Sequence, residues 1–229
     1  MNIPLKIDIV SDVSCPWCII GYKSLSLALA NLKPQITAHI SWKPFELNPQ
    51  MPPEGQHLGE HLHEKYGSTK ADSDQARNML TARGAALGFK FNFTDNARIY
   101  NTFNAHRLLY WARGFDRQSE LKLALFELYF TQGGNPGNYD DLVKTAAKAG
   151  LPPDEAKKIL GSDHYAMEVR EEEARYRALG ITAVPTFIIN DKYTITGGQA
   201  VEAFVLTLQK IVAEEAITDA QRGSNGNLG

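Results

Sequence analysis

The chain has 229 residues, a formal charge of -2 and two cysteines. That length is enough for one domain with an insertion or for two small domains. A near-neutral charge gives no general attraction to nucleic acid or to an anionic membrane. No apolar run approaches the ~20 residues of a membrane span, and two cysteines cannot form a disulfide scaffold.

The N-terminus, MNIPLKIDIV, has no basic segment followed by an uncharged apolar stretch and a small-residue cleavage site. It begins almost at once as a strand and carries Lys6 and Asp8, so a cytoplasmic location is expected. PLKIDIVSD alternates and is rich in β-branched residues, which predicts a strand. PWCIIGYKSLSLALANL predicts a helix with Ile20, Leu25, Leu27 and Leu29 as its apolar positions. Pro16 is tolerated in its first turn because that N–H has no intrahelical partner. QITAHISWKPF predicts a second strand ended by Pro44, giving a strand–helix–strand start.

ELNPQMPPEG is a proline-rich loop. From about residue 57 to 180 the pattern is mostly helical, and glycines close most of the helices. FKFNF, residues 89–93, alternates and is expected to be a short extended piece. β character returns in TFIIN and YTITG, joined by the hairpin-length link Asp191–Lys192. AVEAFVLTLQKIVAEEA predicts a closing helix with Phe204, Leu208, Ile211 and Val212 inward. The polar tail TDAQRGSNGNLG is expected to be disordered. The pattern reads as an α/β core, residues 1–55 and 180–215, interrupted by a helical subdomain over 56–179 and followed by a flexible tail over 216–229.

The only cysteines, Cys15 and Cys18, form a C-x-x-C at the junction of the first strand and first helix. On a helix that spacing puts the Cα atoms about 5–5.5 Å apart, within reach of a disulfide. The helix N-terminus is expected to lower the pKa of Cys15, making it the attacking thiolate. Cys18, one turn on and more covered, would resolve the mixed disulfide. Pro16 and Trp17 between them stiffen the turn and exclude water on one side.

Two plainer readings of the cysteines compete with this one. A structural zinc site needs about four ligands. Only His57 and His61 share a helical spacing, with no third ligand placed, so no metal is expected. Inert buried thiols are common, but strand, C-x-x-C and helix coincide here. Phe103, Tyr110, Trp111, Phe126, Tyr129 and Phe130 recur at helical spacings and read as core.

The stretches SDVSCPWCIIG, WKPFELNP, NTFNAHRL, GITAVPTFIIN and GGQ, spread over residues 11–199, resemble the thioredoxin superfamily. Within it they are similar to the DsbA-like family and its FrnE-like branch. The resemblance implies an α/β thioredoxin-like fold with a large helical insertion capping the active site. It implies Cys15 as nucleophile, Cys18 as resolving thiol, and a cis proline at Pro185. Val184 and Pro185 would then form a substrate-binding loop beside Pro16 and Trp17. His106 is a possible proton shuttle, although a structural role is the plainer reading. Asp8 is the first candidate for a buried supporting acid, with Asp12 and Glu46 as alternatives.

The expected activity is thiol–disulfide exchange with no bound cofactor. Its partners would be thiol- or disulfide-containing proteins, or small thiols such as glutathione. The alternative is a glutathione-dependent enzyme similar to 2-hydroxychromene-2-carboxylate isomerases or kappa-class glutathione transferases. A non-catalytic, chaperone-like binding surface is a weaker third reading. Cys18 separates the first two, because an isomerase needs no resolving thiol.

Overall fold

The computed structural model describes residues 2–225, with side chains through residue 216. Strand β1 (Ile3–Ser11) leads into helix α1 (Pro16–Asn31) and strand β2 (Ile36–Pro44), which pairs parallel to β1. After the helical region, β5 (Thr186–Ile189) runs antiparallel to β1, and β6 (Tyr193–Thr196) antiparallel to β5. The mixed sheet has the order β2-β1-β5-β6. It is the thioredoxin-like sheet, carrying a substantial helical insertion.

The central position of β1 follows from its composition. Leu5, Ile7 and Ile9 are fully buried on one face, against Cys18, Ile19 and the closing helix α9 (Val201–Asn225). Val10 is buried on the other face, with Phe45, Tyr176 and Ile181. The period of two thus gives β1 apolar contacts on both faces. In α1, Ile20 and Leu25 are buried as expected, whereas Leu27 is exposed. In α9, Phe204, Leu208 and Ile211 are buried, and Phe204 meets Phe187 edge-on at 5.0 Å.

Between the two halves of the sheet lie α2 (Leu58–Tyr66), α3 (Lys70–Ala86), α4 (Phe103–Trp111), α5 (Gln118–Phe126), α6 (Tyr139–Lys148), α7 (Pro153–Leu160) and α8 (Ala166–Ala178). Two features differ from the expected all-helical pattern. Gln56–His57 (β3) and Arg98–Ile99 (β4) form a small antiparallel ladder, while residues 89–93 are not a strand. Helix α5 runs on at Glu127–Thr131 as a π-helical stretch. The hairpin link is one residue longer than predicted. Asn190 and Asp191 are both left-handed, a conformation their short polar side chains tolerate. Helix α9 continues into the segment expected as a tail, and residues 226–229 lie outside the described residues.

Two contacts that seat the insertion on the core bear on the site. Val13, in the loop before Cys15, is fully buried among Leu108, Leu121 and Leu125 of α4 and α5. Gln118, at the start of α5, accepts from the Trp42 backbone N–H at 2.8 Å and donates to its carbonyl at 3.0 Å. An amide side chain therefore pairs with the outer edge of β2 as a neighbouring strand would.

Phe204→Ala is expected to lower unfolding free energy by about 3–5 kcal/mol, the range for emptying a buried aromatic site. Urea denaturation followed by circular dichroism measures it.

Candidate active site

Cys15 is the residue before the first helical turn of α1, with extended backbone angles (φ -91°, ψ 111°), and Pro16 opens the helix. The Cys15 N–H donates to the Asp12 carbonyl at 3.3 Å, and the Cys18 N–H to the Cys15 carbonyl at 3.1 Å. Both thiols are free and buried, Cys15 at 4% exposure and Cys18 at 0%. The Cys15 thiol donates to the Val184 carbonyl at 3.6 Å, and the Val184–Pro185 peptide is cis.

Gly21 explains how this turn closes on α1. A Cβ there would come within 3.2 Å of Pro185 Cγ and 3.3 Å of Gly198 Cα. A Cβ on Gly198 would in turn meet the Trp17 carbonyl at 3.2 Å. The distant segments CPWCIIG, VP and GGQ thus meet at one point.

Charge is concentrated behind the dithiol. Lys122 of α5 is fully buried and donates to the Ser11 carbonyl at 3.4 Å. Its ammonium lies 5.0 Å from the Phe126 ring and 5.3 Å from the Trp42 ring. Burial pushes its pKa down to about 8, against the opposing pull of Cys18, Asp12 and Cys15. Asp12 is also buried. Its carboxylate accepts from the Leu47 N–H at 2.7 Å and the Ser14 N–H at 3.3 Å. Burial alone would raise its pKa, but His106, the Leu47 N–H and Lys122 together hold it down at about 2.

The two thiols titrate as a pair. The hydrogen bond between them, then burial and the Asp12 charge, push Cys15 well above the ordinary thiol value. For Cys18, burial opposes ionisation, but the Cys15 thiol, Lys122, Ser11 and the backbone at Asp12 favour the thiolate, and its pKa is lowered. The expectation placed the thiolate on Cys15 alone; here the helix start and Lys122 together favour one negative charge shared by the pair. The Cys18 N–H does favour a Cys15 thiolate, but the ammonium acts most strongly on Cys18. What distinguishes Cys15 is access: it lines the adjoining cavity, and Cys18 does not.

The supporting acid is not Asp8. That residue shares the Val10 face of β1 and lies 3.6 Å from Lys43 and 3.4 Å from the Tyr176 hydroxyl. Cys18 packs with the opposite face, that of Ile7 and Ile9. Asp12, beyond the strand end, is free of that alternation. Glu46 is paired with Arg170, which also holds Glu173 at 2.8 Å. His106 is buried, with Nε2 3.6 Å from Asp12 Oδ1. His57 caps α2 and contacts the Asp95 carbonyl, while His61 contacts Gln56. Lys122 was missed. The available signal was its place on the stripe Gln118–Lys122–Phe126, four residues apart, where a lysine interrupts a buried face.

Cys15, Pro16, Trp17 and Val184 form one wall of a cavity of about 440 Å³. Pro185 packs behind that wall, against α1. The facing walls come from α2, α3, the segment 92–100 and the π-helical stretch, which contributes Tyr129 and Phe130.

Residues 6–209 match the DSBA-like thioredoxin domain, and the chain belongs to that family. It is 27% identical over 220 residues to the uncharacterized protein YwbO of Bacillus subtilis (strain 168), covering 95% of this chain and 98% of the relative. The fold is similar to the crystal structure of the probable DsbA oxidoreductase SCO1869 from Streptomyces coelicolor, with TM-score 0.83 and 29% identity over 90% of this chain and 89% of that one. At 14% identity it also shares the fold of the cytosolic disulfide reductase DsbM from Pseudomonas aeruginosa, solved with GSH. There the TM-score is 0.60, covering 91% of this chain and 99% of that one. A C-x-x-C pair in this fold supports a dithiol–disulfide oxidoreductase role. Among the described residues, no helix is long and apolar enough to cross a membrane.

Two outcomes follow from the charges. Lys122→Met is expected to raise the first thiol pKa of the pair by about one pH unit, read from thiolate ultraviolet absorbance against pH. Asp12 has a folded pKa of about 2, below its ordinary 3.8. Its contribution to stability is present above about pH 4 and is lost as pH falls toward 2. The difference in unfolding free energy between wild type and Asp12→Asn is therefore expected to shrink across that interval.

Proposed function

We propose that this protein is a cytoplasmic thiol–disulfide oxidoreductase of the FrnE-like branch. Cys15 attacks a substrate disulfide, and Cys18 releases the product by forming the Cys15–Cys18 disulfide. The observation that carries this reading is the asymmetry of the pair. Cys15 lines the cavity, whereas Cys18 is fully buried against Lys122 and Ser11.

The resting thiolate favoured at Cys18 is compatible with this order. Proton exchange between two hydrogen-bonded thiols moves the charge to Cys15 when a disulfide arrives. A thiolate at Cys15 then attacks, and Cys18, one turn away, acts intramolecularly. Lys122 supports the monoanion of the pair whichever sulfur carries it. His106, buried 3.6 Å from Asp12, would serve as the proton relay beside the loop. Pro16, Trp17 and Val184 would border the substrate, with Pro185 holding the Val184 turn against α1. The protein's partners are thiol- or disulfide-containing proteins or small thiols such as glutathione. DsbM, a cytosolic disulfide reductase solved with GSH, lends the location and the small-thiol class some support at the level of fold.

Cys18→Ser is expected to accumulate mixed disulfides at Cys15 that disappear on reduction, and Cys15→Ser to trap nothing. Non-reducing electrophoresis and intact mass measure both. A glutathione-dependent isomerase would instead retain turnover in Cys18→Ser, and that result would replace this reading.

A further inference from the structure

Among the described residues, the cavity beside Cys15 is lined by two arginines, Arg77 and Arg98, and by no aspartate or glutamate. Arg77 Nη1 lies 3.6 Å from Asp95 and 4.0 Å from Asp74, neither of which lines the cavity. Arg98 donates to the Glu54 and Gly55 carbonyls at 3.2 and 2.9 Å. Among the described residues it has no carboxylate within salt-bridge distance. A third guanidinium, that of Arg83, lies over the Trp17 indole at 5.1 Å. Much of the remaining wall is aromatic, including Phe93, Tyr129 and Trp17. The volume, about 440 Å³, is that of a small-molecule site.

We propose that this cavity binds a small aromatic or apolar disulfide carrying a carboxylate, which Arg77 and Arg98 hold while its sulfur faces Cys15. The inference rests on the thiol-exchange reading above and narrows its substrate class. Guanidinium groups favour carboxylates by charge-assisted hydrogen bonds. Arg98 has no carboxylate partner among the described residues and Arg77 holds Asp74 and Asp95 only loosely, so both can turn to an anion, while aromatic rings cover the ligand body. In the step itself, the Cys15 thiolate forms a bond to one substrate sulfur and expels the other as a thiolate. Cys18 then displaces the second half. The dithiol loses two electrons and two protons, and the substrate becomes two thiols.

The test is a single-turnover reaction of the fully reduced protein with two chromogenic aromatic disulfides. One is the dianionic dithiobis(nitrobenzoate), the other the neutral dithiodipyridine. Each rate constant is divided by that of the same disulfide with free dithiothreitol. The normalised ratio of anionic to neutral rate is expected to exceed one in the wild type. It is expected to fall about tenfold in Arg77→Gln/Arg98→Gln, and to recover for the most part in Arg77→Lys/Arg98→Lys. A ratio of one or less in the wild type overturns the proposal. So does a ratio that the glutamines leave unchanged, or one that the lysines do not restore. If the reduced wild type releases no thiol from either disulfide, the exchange reading itself has failed. If it releases thiol from both without preference, only the assignment of the cavity has failed.

Discussion

A buried ammonium is the constraint on which the site depends. Lys122 has no exposed surface and a single hydrogen bond, to the Ser11 carbonyl. An unpaired charge in that setting is strongly unfavourable, so the interior must supply negative charge close by. Asp12 supplies one, and the dithiol can supply a second. With Asp12 held ionised, the negative charge left when the cysteine pair loses a proton is stabilised by Lys122. The aromatic walls given by Trp42 and Phe126 exclude water and so strengthen these interactions.

Because Lys122 belongs to the insertion, the helical region is part of the redox centre as well as its roof. The same helix, α5, holds Val13 through Leu121 and Leu125 and grips β2 through Gln118. It then runs into the π-helical stretch that brings Tyr129 and Phe130 to the cavity. Such stretches are often found at functional sites. Here the wider turn falls where a helix packed on the core must also present side chains to the space beside Cys15.

Much of this was legible from residues alone. The alternation in PLKIDIVSD, the glycine-closed helices and the C-x-x-C at a strand–helix junction carried the fold class and the position of the thiols. Three things were not legible. The partner of a charged residue is a tertiary fact, so only its place on the stripe of Gln118 and Phe126 sets Lys122 apart in the sequence. The choice between Asp8 and Asp12 turned on which face of β1 receives α1, a matter of packing. The setting of the thiol pair was the third: position at a helix start is a local property, whereas the hydrogen bond between the thiols, their burial and the Lys122 charge arise only in the folded chain.

The grip of Gln118 on Trp42 also bears on the solubility of the sheet. β2 is an outer strand, and an outer strand with unpaired N–H and C=O groups is a template for another chain. One side-chain amide occupies both groups of Trp42, and Trp42 Nε1 is bonded to Ser119 at 3.0 Å. The insertion thereby blunts this edge near the thiols. A chain trimmed to its strands and their two covering helices would keep the sheet but present that edge bare, with an indole beside it. At Trp42, then, the helical region supplies the edge pairing that the α/β core lacks on that side.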